Sequence, residues 1–335
     1  MNNIILADCL EEELTDLKEG LEDYTKQNWK IYSTISNWGR TSLWKKIKRY
    51  LVYFLAPIKV FLKRKEFSKI IGWQQFYALI FAFYCNIFKV KKNFNLYVVN
   101  FTYKEKKGFV GKIYYKFMKN TINSKYVDLL YVPSKDYIDM CSRILNVSKE
   151  KFVVLPFGIP DQYNKYKNDY IKGNYYLSIG RSNRDYDWLI KEWKNIKETL
   201  YIVSDNYKPN FSVPNNIKII DNVFGNMQYP YIMGCKALII PIDIENICSG
   251  DTVLLTAISF KKIVIVTEKS TLAEMYVNNG EDGFVVSKNK GELTKLINLI
   301  NHDNLKVGNK AREKYLNNYS RKIMGINIGK SIMEE

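Results

Sequence analysis

The chain has 335 residues, of which 47% are hydrophobic and 15% aromatic, and its formal net charge is +17. This length favours two domains over one, and the apolar content excludes an intrinsically disordered chain. The charge is concentrated, because residues 24–160 contain 26 basic and only 6 acidic side chains. Such a region attracts an anionic partner, which could be phospholipid headgroups, a pyrophosphate-linked lipid or nucleic acid.

The first half of the chain alternates short β-branched or aromatic segments with longer helical ones. The predicted strands are residues 4–7, 30–35, 69–72, 95–100, 127–132 and 152–155. The predicted helices are residues 11–24, 44–65, 75–88, 111–120 and 135–145. Strands that alternate with helices predict an α/β domain with a parallel sheet.

The second predicted helix, WKKIKRYLVYFLAPIKVFLKRK over residues 44–65, has apolar residues at helical spacing. Pro57 is expected to kink or split it. The helix also carries eight basic residues and no acidic ones, which suits the surface of an anionic membrane. The residues expected to face the membrane are Trp44, Lys45, Lys46, Lys48 and Arg49.

Two alternatives to membrane contact remain for this helix. It could be a core helix whose basic face is simply solvated. Interleaved aromatic and basic residues also occur in proteins that bind single-stranded nucleic acid. No recognisable RNA- or DNA-binding motif accompanies them, so we expect no nucleic-acid partner.

The first half of the chain shows no recognisable targeting signal. The N-terminal segment MNNIILADCLEEELTD lacks a basic start and becomes acidic at once, so it does not predict a signal peptide. The longest apolar run, residues 76–88, is shorter than the roughly 20 residues that span a bilayer. We therefore expect a cytoplasmic protein that associates peripherally with the inner face of the cell membrane.

Residues 156–169 are rich in turn-forming side chains and predict a linker. The second half then repeats a short strand, a turn and a helical stretch. Its predicted strands are NYYLSIG, TLYIVSD, NIKIID, ALIIPI, KIVIVT and GFVVS. A charged helical pattern follows from Lys310. We therefore predict one domain at residues 1–160, a second at 161–310, and a helix at 311–335 that packs back on the first.

Two loops of the second half follow predicted strands and are suited to bind phosphate. In residues 180–184, Gly180 lets the backbone approach a ligand, and Arg181 and Arg184 can bind phosphate oxygens beside a helix start. In residues 249–252, hydroxyl groups and free N–H groups stand at another predicted helix start. Ligands of a parallel sheet lie beyond the carboxyl ends of its strands, where both loops are expected.

Both loops also have simpler explanations as helix caps. Asp185 or Asp187 could cap the helix after the arginine loop, and residues 249–252 could be an ordinary Ser/Asp cap. Asp185-Tyr186-Asp187 matches a DxD pattern that can hold a divalent metal. Such triplets are frequent by chance, and helix capping explains these acids better.

The histidine and cysteine content limits the possible chemistry. His302 is the single histidine, in a segment expected to form a solvated turn, which argues against catalytic triads, HExxH zinc sites and multi-histidine metal clusters. The five cysteines show no CxxC spacing, which indicates a reducing compartment and no zinc site. Catalysis would then rest on carboxylates, basic groups, hydroxyls or backbone dipoles, and we expect no metal and no cofactor.

Four motifs of the second half occur in a recognisable order. They are Gly180-Arg181 followed by Arg184, the acidic loop and glycine-containing helix start from Glu245 to Thr252, the strand KIVIVT, and the ending Asp282-Gly283-Phe284-Val285-Val286. By these motifs, residues 174–286 resemble the nucleotide-sugar-binding domain of GT-B glycosyltransferases. The resemblance is strongest to the family-4-like group, of the bacterial cell-surface polysaccharide type.

This resemblance implies an α/β fold with two Rossmann-like domains that face a central cleft. It implies transfer of a sugar from a nucleotide-diphosphate donor, with UDP favoured, to a saccharide or polyprenyl-diphosphate-linked acceptor in surface polysaccharide synthesis. The reaction would be metal-independent and would retain the anomeric configuration, and Glu245 would face the donor sugar as the candidate catalytic residue. The residues implied to bind the donor are Gly180, Arg181, Arg184, Ser249, Gly250, Asp251 and Thr252.

The chain also departs from the group's usual pattern. Many members have two glutamates eight positions apart, and Cys248 and Thr256 stand at those places here. The N-terminal glycine-rich loop and a histidine in the acceptor domain are also missing. Two alternatives therefore stay open: a nucleotide-sugar epimerase on the same scaffold, or a binding protein with a degenerate donor site.

Overall fold

The computed structural model describes residues 2–35, 43–245, 249–302 and 306–335. The chain divides into two compact units, the first formed by Met1–Pro160 with Arg321–Glu335 and the second by Asp161–Ser320. Each unit contains one six-stranded sheet whose strands all pair in parallel. The predicted α/β class with two Rossmann-like domains is confirmed.

The first sheet has the strand order β2-β1-β3-β4-β5-β6. Its strands are β1 Asn2–Ala7, β2 Trp29–Ser33, β3 Phe67–Gly72, β4 Asn95–Val98, β5 Leu129–Val132 and β6 Phe152–Val154. Its first five helices are α1 Thr15–Thr25, α2 Leu43–Leu62, α3 Gln75–Ile87, α4 Gly108–Ile122 and α5 Lys135–Leu145. From β1 the chain adds β2 on one side, and it then adds β3 to β6 on the other side. The position between β1 and β3 is the topological switch of the sheet, where doubly wound sheets bind ligands.

Both faces of the first sheet are covered, as its sequence requires. Ile4 and Leu6 of β1 lie in one apolar core, whereas Ile5 and Ala7 lie in another. Because successive side chains of a strand point to opposite faces, these are the two sides of the sheet. Strands buried on both faces read as continuous apolar runs, which is why the run NIILA is recognisable as a strand.

The second sheet has the order β12-β11-β10-β7-β8-β9, which is the Rossmann order with its switch between β7 and β10. Its strands are β7 Tyr175–Ile179, β8 Thr199–Val203, β9 Ile217–Ile220, β10 Ala237–Ile240, β11 Ile263–Thr267 and β12 Phe284–Val286. Its helices are α6 Tyr163–Tyr166, α7 Tyr186–Trp193, α8 Tyr229–Gly234, α9 Asp251–Ser259, α10 Thr271–Tyr276, α11 Glu292–His302 and α12 Val307–Asn318.

Three local expectations differ from the structure. Helix α2 continues through Pro57 without a break, because Tyr53, Ala56 and Val60 on both sides of it are buried against the rest of the unit. His302 is the exposed last residue of α11 rather than part of a turn. The expected linker contains α6, whose buried Tyr166 packs against aromatic rings of the second unit.

The last helix, α13 Arg321–Glu334, belongs to the first unit and packs on α1. The two backbones approach at glycines: a Cβ atom at Gly20 would lie 2.1 Å from the Lys322 carbonyl oxygen, and one at Gly325 would lie 2.2 Å from that of Leu17. Buried Arg321 donates to the carbonyl oxygen of Gly158 at 2.9 Å. The C-terminal segment is therefore an integral part of the first unit's core.

Replacing Gly325 by valine is expected to lower the free energy of unfolding by about 2 kcal/mol, because the new side chain must displace the backbone of α1. Urea denaturation followed by circular dichroism measures this loss. Glu19→Val is the matched control, since it adds the same side chain to an exposed position of α1. Equal losses in both variants would contradict the close approach of the two helices.

One further property of the helices concerns membranes. Among the residues that the structure describes, no helix is both long and apolar enough to cross a bilayer. Helix α2 is nevertheless unusual, because many of its large apolar side chains are solvent-exposed. These are Trp44, Ile47, Tyr50, Leu51, Phe54, Leu55 and Leu62.

Candidate functional site

The loops that follow β7 and β10 lie side by side, because these strands are neighbours at the switch of the second sheet. The Asp185 backbone N–H donates to the Pro241 carbonyl oxygen at 2.8 Å. The Asn183 side chain donates to the Ile244 carbonyl oxygen at 3.0 Å and accepts the Ile244 N–H at 2.6 Å. Both predicted phosphate loops therefore form one structured surface at the carboxyl edge of the sheet.

Arg184 lies at the centre of this surface. Its Nη1 donates to the carbonyl oxygens of Ser182 at 3.0 Å, Asn183 at 3.3 Å and Ser249 at 3.4 Å. Its Nε is buried and has no hydrogen-bond partner. None of the ion pairs among the described residues involves Arg184. Loss of hydration lowers its pKa, so a close anionic partner would stabilise this cation.

Two glycines make room for the Arg184 guanidinium. A Cβ atom at Gly180 would lie 2.8 Å from its Nε, and one at Gly250 would lie 2.4 Å from its Nη2. Both glycines also have positive φ, +147° at Gly180 and +104° at Gly250. The backbone conformation therefore favours glycine at both positions, and a side chain at either would displace the Arg184 guanidinium.

Gly250 is also the N-cap of helix α9, and it provides no side chain to cap the helix. The Thr252 N–H is bound by the Asp251 carboxylate at 2.8 Å. Ser249 donates from its hydroxyl to the Ser182 carbonyl oxygen at 3.3 Å, which ties the helix start to the arginine loop. Helix N-termini favour anions, and here Asp251 supplies one negative charge beside Arg184.

Arg181 turns away from Arg184 towards the other side of β7. Its Nε pairs with Asp205 at 2.8 Å, and Asp205 follows β8. Its guanidinium carbon lies 4.6 Å from the centre of the Phe224 ring. Arg181 remains about half exposed, with 51% of its side-chain surface accessible. The two arginines predicted to act together therefore line different parts of the edge.

Glu245, the predicted catalytic residue, is exposed and follows β10. Its carbonyl oxygen accepts the Thr271 N–H at 3.1 Å and the Thr271 hydroxyl at 3.2 Å, which fixes the backbone here. Cys248, the first position where a glutamate is usual, lies outside the described residues. Thr256, the second, is buried and donates its hydroxyl to the Thr252 carbonyl oxygen at 2.8 Å.

Asp185 and Asp187 are both engaged within the fold. Asp185 caps α7 by accepting the Trp188 N–H at 3.0 Å and pairs with Lys288 at 2.6 Å. Asp187 accepts the Tyr207 hydroxyl at 2.6 Å. The capping explanation is confirmed for Asp185, whereas Asp187 is held by Tyr207 and does not cap the helix. In the described part of the chain, no group of three or more His, Cys, Asp or Glu residues is arranged to hold a metal ion.

Replacing Asp185 by alanine is expected to lower the free energy of unfolding by about 1 kcal/mol, because the α7 cap is lost. Asp185→Asn is the matched control, since asparagine caps as well as aspartate without the charge. Urea denaturation of both variants separates the cap from the Lys288 ion pair. A loss in the asparagine variant as large as in the alanine variant would show that the ion pair dominates.

The predicted membrane-facing residues lie at the start of α2 in the first unit. Trp44 is 80% exposed, and Lys45, Lys46 and Lys48 are exposed as well. Arg49 is half-buried and donates from Nε to the Tyr53 hydroxyl at 2.7 Å. The helix therefore has one apolar face in the core and a second apolar face open to solvent. Neither a purely membrane-facing helix nor a core helix with a solvated basic face has this arrangement.

Several residues of these sites were not predicted from the sequence. Asp205 and Phe224, which hold Arg181, come from other strand ends, and nothing in the local sequence indicates that contact. Asn183 has a left-handed backbone (φ +54°), and an asparagine two residues before a helix cap is a usable signal for it. In the first unit, Asp8 follows β1 and accepts from Gln74 Nε2 at 2.9 Å, which places two polar groups at that sheet's switch.

Comparison with known proteins agrees with this geometry. Residues 173–302 match the sequence profile of the family described as Glycosyl transferases group 1. A search of curated proteins finds no match to the chain.

Three solved structures illustrate the likeness in fold. A glycosyltransferase from Rickettsia africae ESF-5 has a TM-score of 0.64 at 17% identity, covering 100% of this chain and 99% of that one. Anabaena Alr3699/HepE in complex with UDP has a TM-score of 0.62 at 12% identity, covering 100% of both chains. WaaG, a glycosyltransferase involved in lipopolysaccharide biosynthesis, has a TM-score of 0.56 at 14% identity, covering 99% of this chain and 100% of that one.

The matched segment contains every strand of the second sheet, together with the arginine loop and the start of α9. The structural likeness extends over both units. Residues 173–302 thus match the glycosyl transferases group 1 family, within a chain that has the GT-B fold.

Proposed function

We propose that this chain transfers a sugar from a UDP-sugar to a lipid-linked saccharide at an anionic membrane surface, in the synthesis of a surface polysaccharide. The observation that carries the proposal is Arg184, a partly buried cation at the switch of the second sheet, whose buried Nε has no hydrogen-bond partner and which forms no ion pair among the described residues. A diphosphate would supply the missing anion. UDP is favoured because UDP is the ligand of HepE, which shares the fold.

In the proposed reaction, the bond between the sugar C1 and the diphosphate oxygen breaks while an acceptor hydroxyl oxygen forms a bond to C1. Negative charge develops on the departing UDP, whose diphosphate oxygen takes up the proton of that hydroxyl. Arg184 and the N-terminus of α9 would stabilise this charge without a metal ion. Gly180 and Gly250 would keep the guanidinium in place. Glu245 would face the donor sugar, and we propose retention of the anomeric configuration on the basis of the family resemblance.

The acceptor is proposed to bind the first unit. The support for this is the distribution of charge and apolar surface there: residues 24–160 carry a net charge of +20, from 26 basic and 6 acidic side chains. Exposed apolar side chains on α2 and α4 stand among these basic residues. Surfaces of this kind bind anionic lipid. WaaG and the galactosyltransferase WaaB, both of similar fold, act in lipopolysaccharide synthesis according to their descriptions.

A panel of nucleotide sugars tested by thermal shift, each with and without EDTA, examines the donor part of the proposal. We expect a UDP-sugar to stabilise the protein, by about 2.7 kcal/mol at 100 times its dissociation constant, and EDTA to have no effect. Release of UDP is then measured with membrane extract as the acceptor source. Absence of both binding and UDP release for every nucleotide sugar would refute the proposal.

The same assay separates the two alternatives. A binding protein with a degenerate donor site is favoured by Thr256, a buried threonine where the group usually has an acid. It would bind a UDP-sugar without releasing UDP. An epimerase would convert one UDP-sugar into another in the absence of any acceptor, which chromatography of the nucleotide sugars detects.

A further inference from the structure

The first unit contains a large apolar groove between helices α2, α3 and α4. Its volume is about 750 Å³, within the range of small-molecule sites. Seven of its fourteen lining residues are aromatic, and its apolar walls include Tyr53, Phe54, Phe83, Val110 and Ile113. The groove lies entirely within the first unit, so it is separate from the surface around Arg184.

The side chains in this groove are accessible rather than sealed in a core. Val110 is 68% exposed, Ile113 is 55% exposed and Phe54 is 47% exposed. Exposed apolar surface of this extent is costly in water unless a partner covers it.

The charges at the groove indicate the nature of the ligand. Its two charged lining residues are both lysines, Lys106 and Lys116, and no carboxylate lines it. The Lys106 Nζ lies 4.1 Å from the centre of the Tyr114 ring, which holds the ammonium group against the groove wall. Residues 43–65 and 104–119 together contain fourteen basic and one acidic side chain. An apolar chain with an anionic head group complements this arrangement.

The groove is also connected to the edge of the sheet where ligands are expected. Tyr53 lines the groove, and its hydroxyl accepts from Gln74 Nε2 at 3.4 Å. Gln74 follows β3 and also donates to Asp8, which follows β1, at 2.9 Å. These two strands flank the switch of the first sheet. One wall of the groove therefore borders the edge of the first sheet where ligands are expected.

We infer that the groove between α2, α3 and α4 binds the hydrocarbon chain of a phosphate- or diphosphate-linked lipid acceptor, with the phosphate beside Lys106. This inference rests on the proposed function for the role of the lipid, whereas the chain-binding site itself rests on the groove. A flat membrane-binding surface would require exposed apolar residues but no concave site. The groove predicts that binding depends on residues inside it and not on their exposed neighbours outside it.

Isothermal calorimetry with farnesyl diphosphate, kept below its micelle concentration, tests the site. We expect the wild-type protein to bind it at least tenfold more tightly than inorganic diphosphate, because only the former buries a chain. Saturating UDP should leave this binding unchanged, since UDP is proposed to bind the other unit. Displacement by UDP would place the ligand at the donor site and overturn the inference, as would equal affinity for inorganic diphosphate.

Two groove variants and one matched control sharpen the test. Val110→Asp places a carboxylate in the groove, and Ile113→Trp fills it while keeping it apolar; each should weaken farnesyl diphosphate binding about tenfold or more. Phe109→Asp is the control, because Phe109 is 78% exposed on the same helix and does not line the groove. Equal losses in Phe109→Asp and Val110→Asp would overturn the inference in favour of a flat surface.

The design also distinguishes failure of this inference from failure of the proposed function. All variants keep the donor surface intact, so UDP binding and UDP release to a soluble saccharide report on the proposed function alone. Donor turnover without farnesyl diphosphate binding would refute the groove and leave the transferase proposal standing. Farnesyl diphosphate binding without any donor binding would refute the transferase proposal and support the groove as a lipid site.

Discussion

Replacing Arg184 by lysine is expected to weaken UDP binding between about tenfold and a hundredfold. A hydrogen bond to a charged group contributes about 1.5–3 kcal/mol, and each 1.4 kcal/mol is a factor of ten in affinity. Lysine keeps the charge but loses the planar fork that fits between Gly180 and Gly250. It also loses the Nε–H group that is buried and unpartnered in the folded chain. Calorimetry with UDP measures the change directly.

Arg181→Lys is the matched control, because Arg181 belongs to the same loop and carries the same charge. Its guanidinium is already paired with Asp205 and stacked on Phe224, so we expect a loss smaller than tenfold. Equal losses in the two variants would contradict the central role of Arg184. No loss in either would show that neither arginine contributes to UDP binding, which would contradict the proposed donor site.

Gly250→Ala provides an independent test of the same geometry. The new Cβ atom would lie 2.4 Å from Arg184 Nη2, and the backbone at this position has φ +104°. The guanidinium would have to move, although no charged group is removed. We expect UDP affinity to fall as far as in Arg184→Lys. An unchanged affinity would mean that UDP does not bind between these two loops.

The positions of the strands were the part of the structure most accessible from sequence. Parallel strands that are buried on both faces are continuous apolar runs, such as ALIIPI and KIVIVT. Helix continuity was less accessible. A proline usually breaks a helix, yet α2 passes through Pro57 because Tyr53 and Val60 are anchored in the same core.

The candidate site was predicted in its parts but not in its internal arrangement. The glycines and arginines were recognisable because strand-end loops in parallel sheets bind phosphate. The different contacts of the two arginines were not predictable. Arg181 pairs with Asp205 and contacts Phe224, which are 24 and 43 residues further along the chain. Contacts of this kind depend on tertiary placement, which local patterns do not encode.

The groove illustrates the same limit for helices. The sequence assigned α2 a single apolar stripe, which could face either a core or a membrane. The structure instead divides its apolar residues between the core and the solvent, with Tyr53 buried and Leu55 exposed. That division depends on α3 and α4, which pack beside α2 and complete the walls of the groove. A hydrophobic pattern alone cannot say how many neighbours a helix will have.

Replacing Lys45, Lys46, Lys48 and Arg49 together by glutamine is expected to lower binding to anionic vesicles by roughly a hundredfold to a thousandfold. Each basic residue near such a surface contributes about 1 kcal/mol, and three of the four are fully exposed. The effect should fall with rising salt, because the Debye length is only about 8 Å at physiological ionic strength. Flotation with phosphatidylglycerol vesicles measures the partitioning, and neutral phosphatidylcholine vesicles provide the baseline.

The matched control replaces four exposed lysines of the second unit by glutamine, namely Lys191, Lys194, Lys197 and Lys208. This variant has the same net charge as the α2 variant, so a nonspecific attraction of the whole cationic protein would be reduced equally in both. Binding through α2 requires that only the α2 variant lose affinity, since Trp44 and its exposed apolar neighbours act together with the charges of that helix. Equal loss would assign vesicle binding to net charge alone, and the first unit would then have no oriented contact with the membrane.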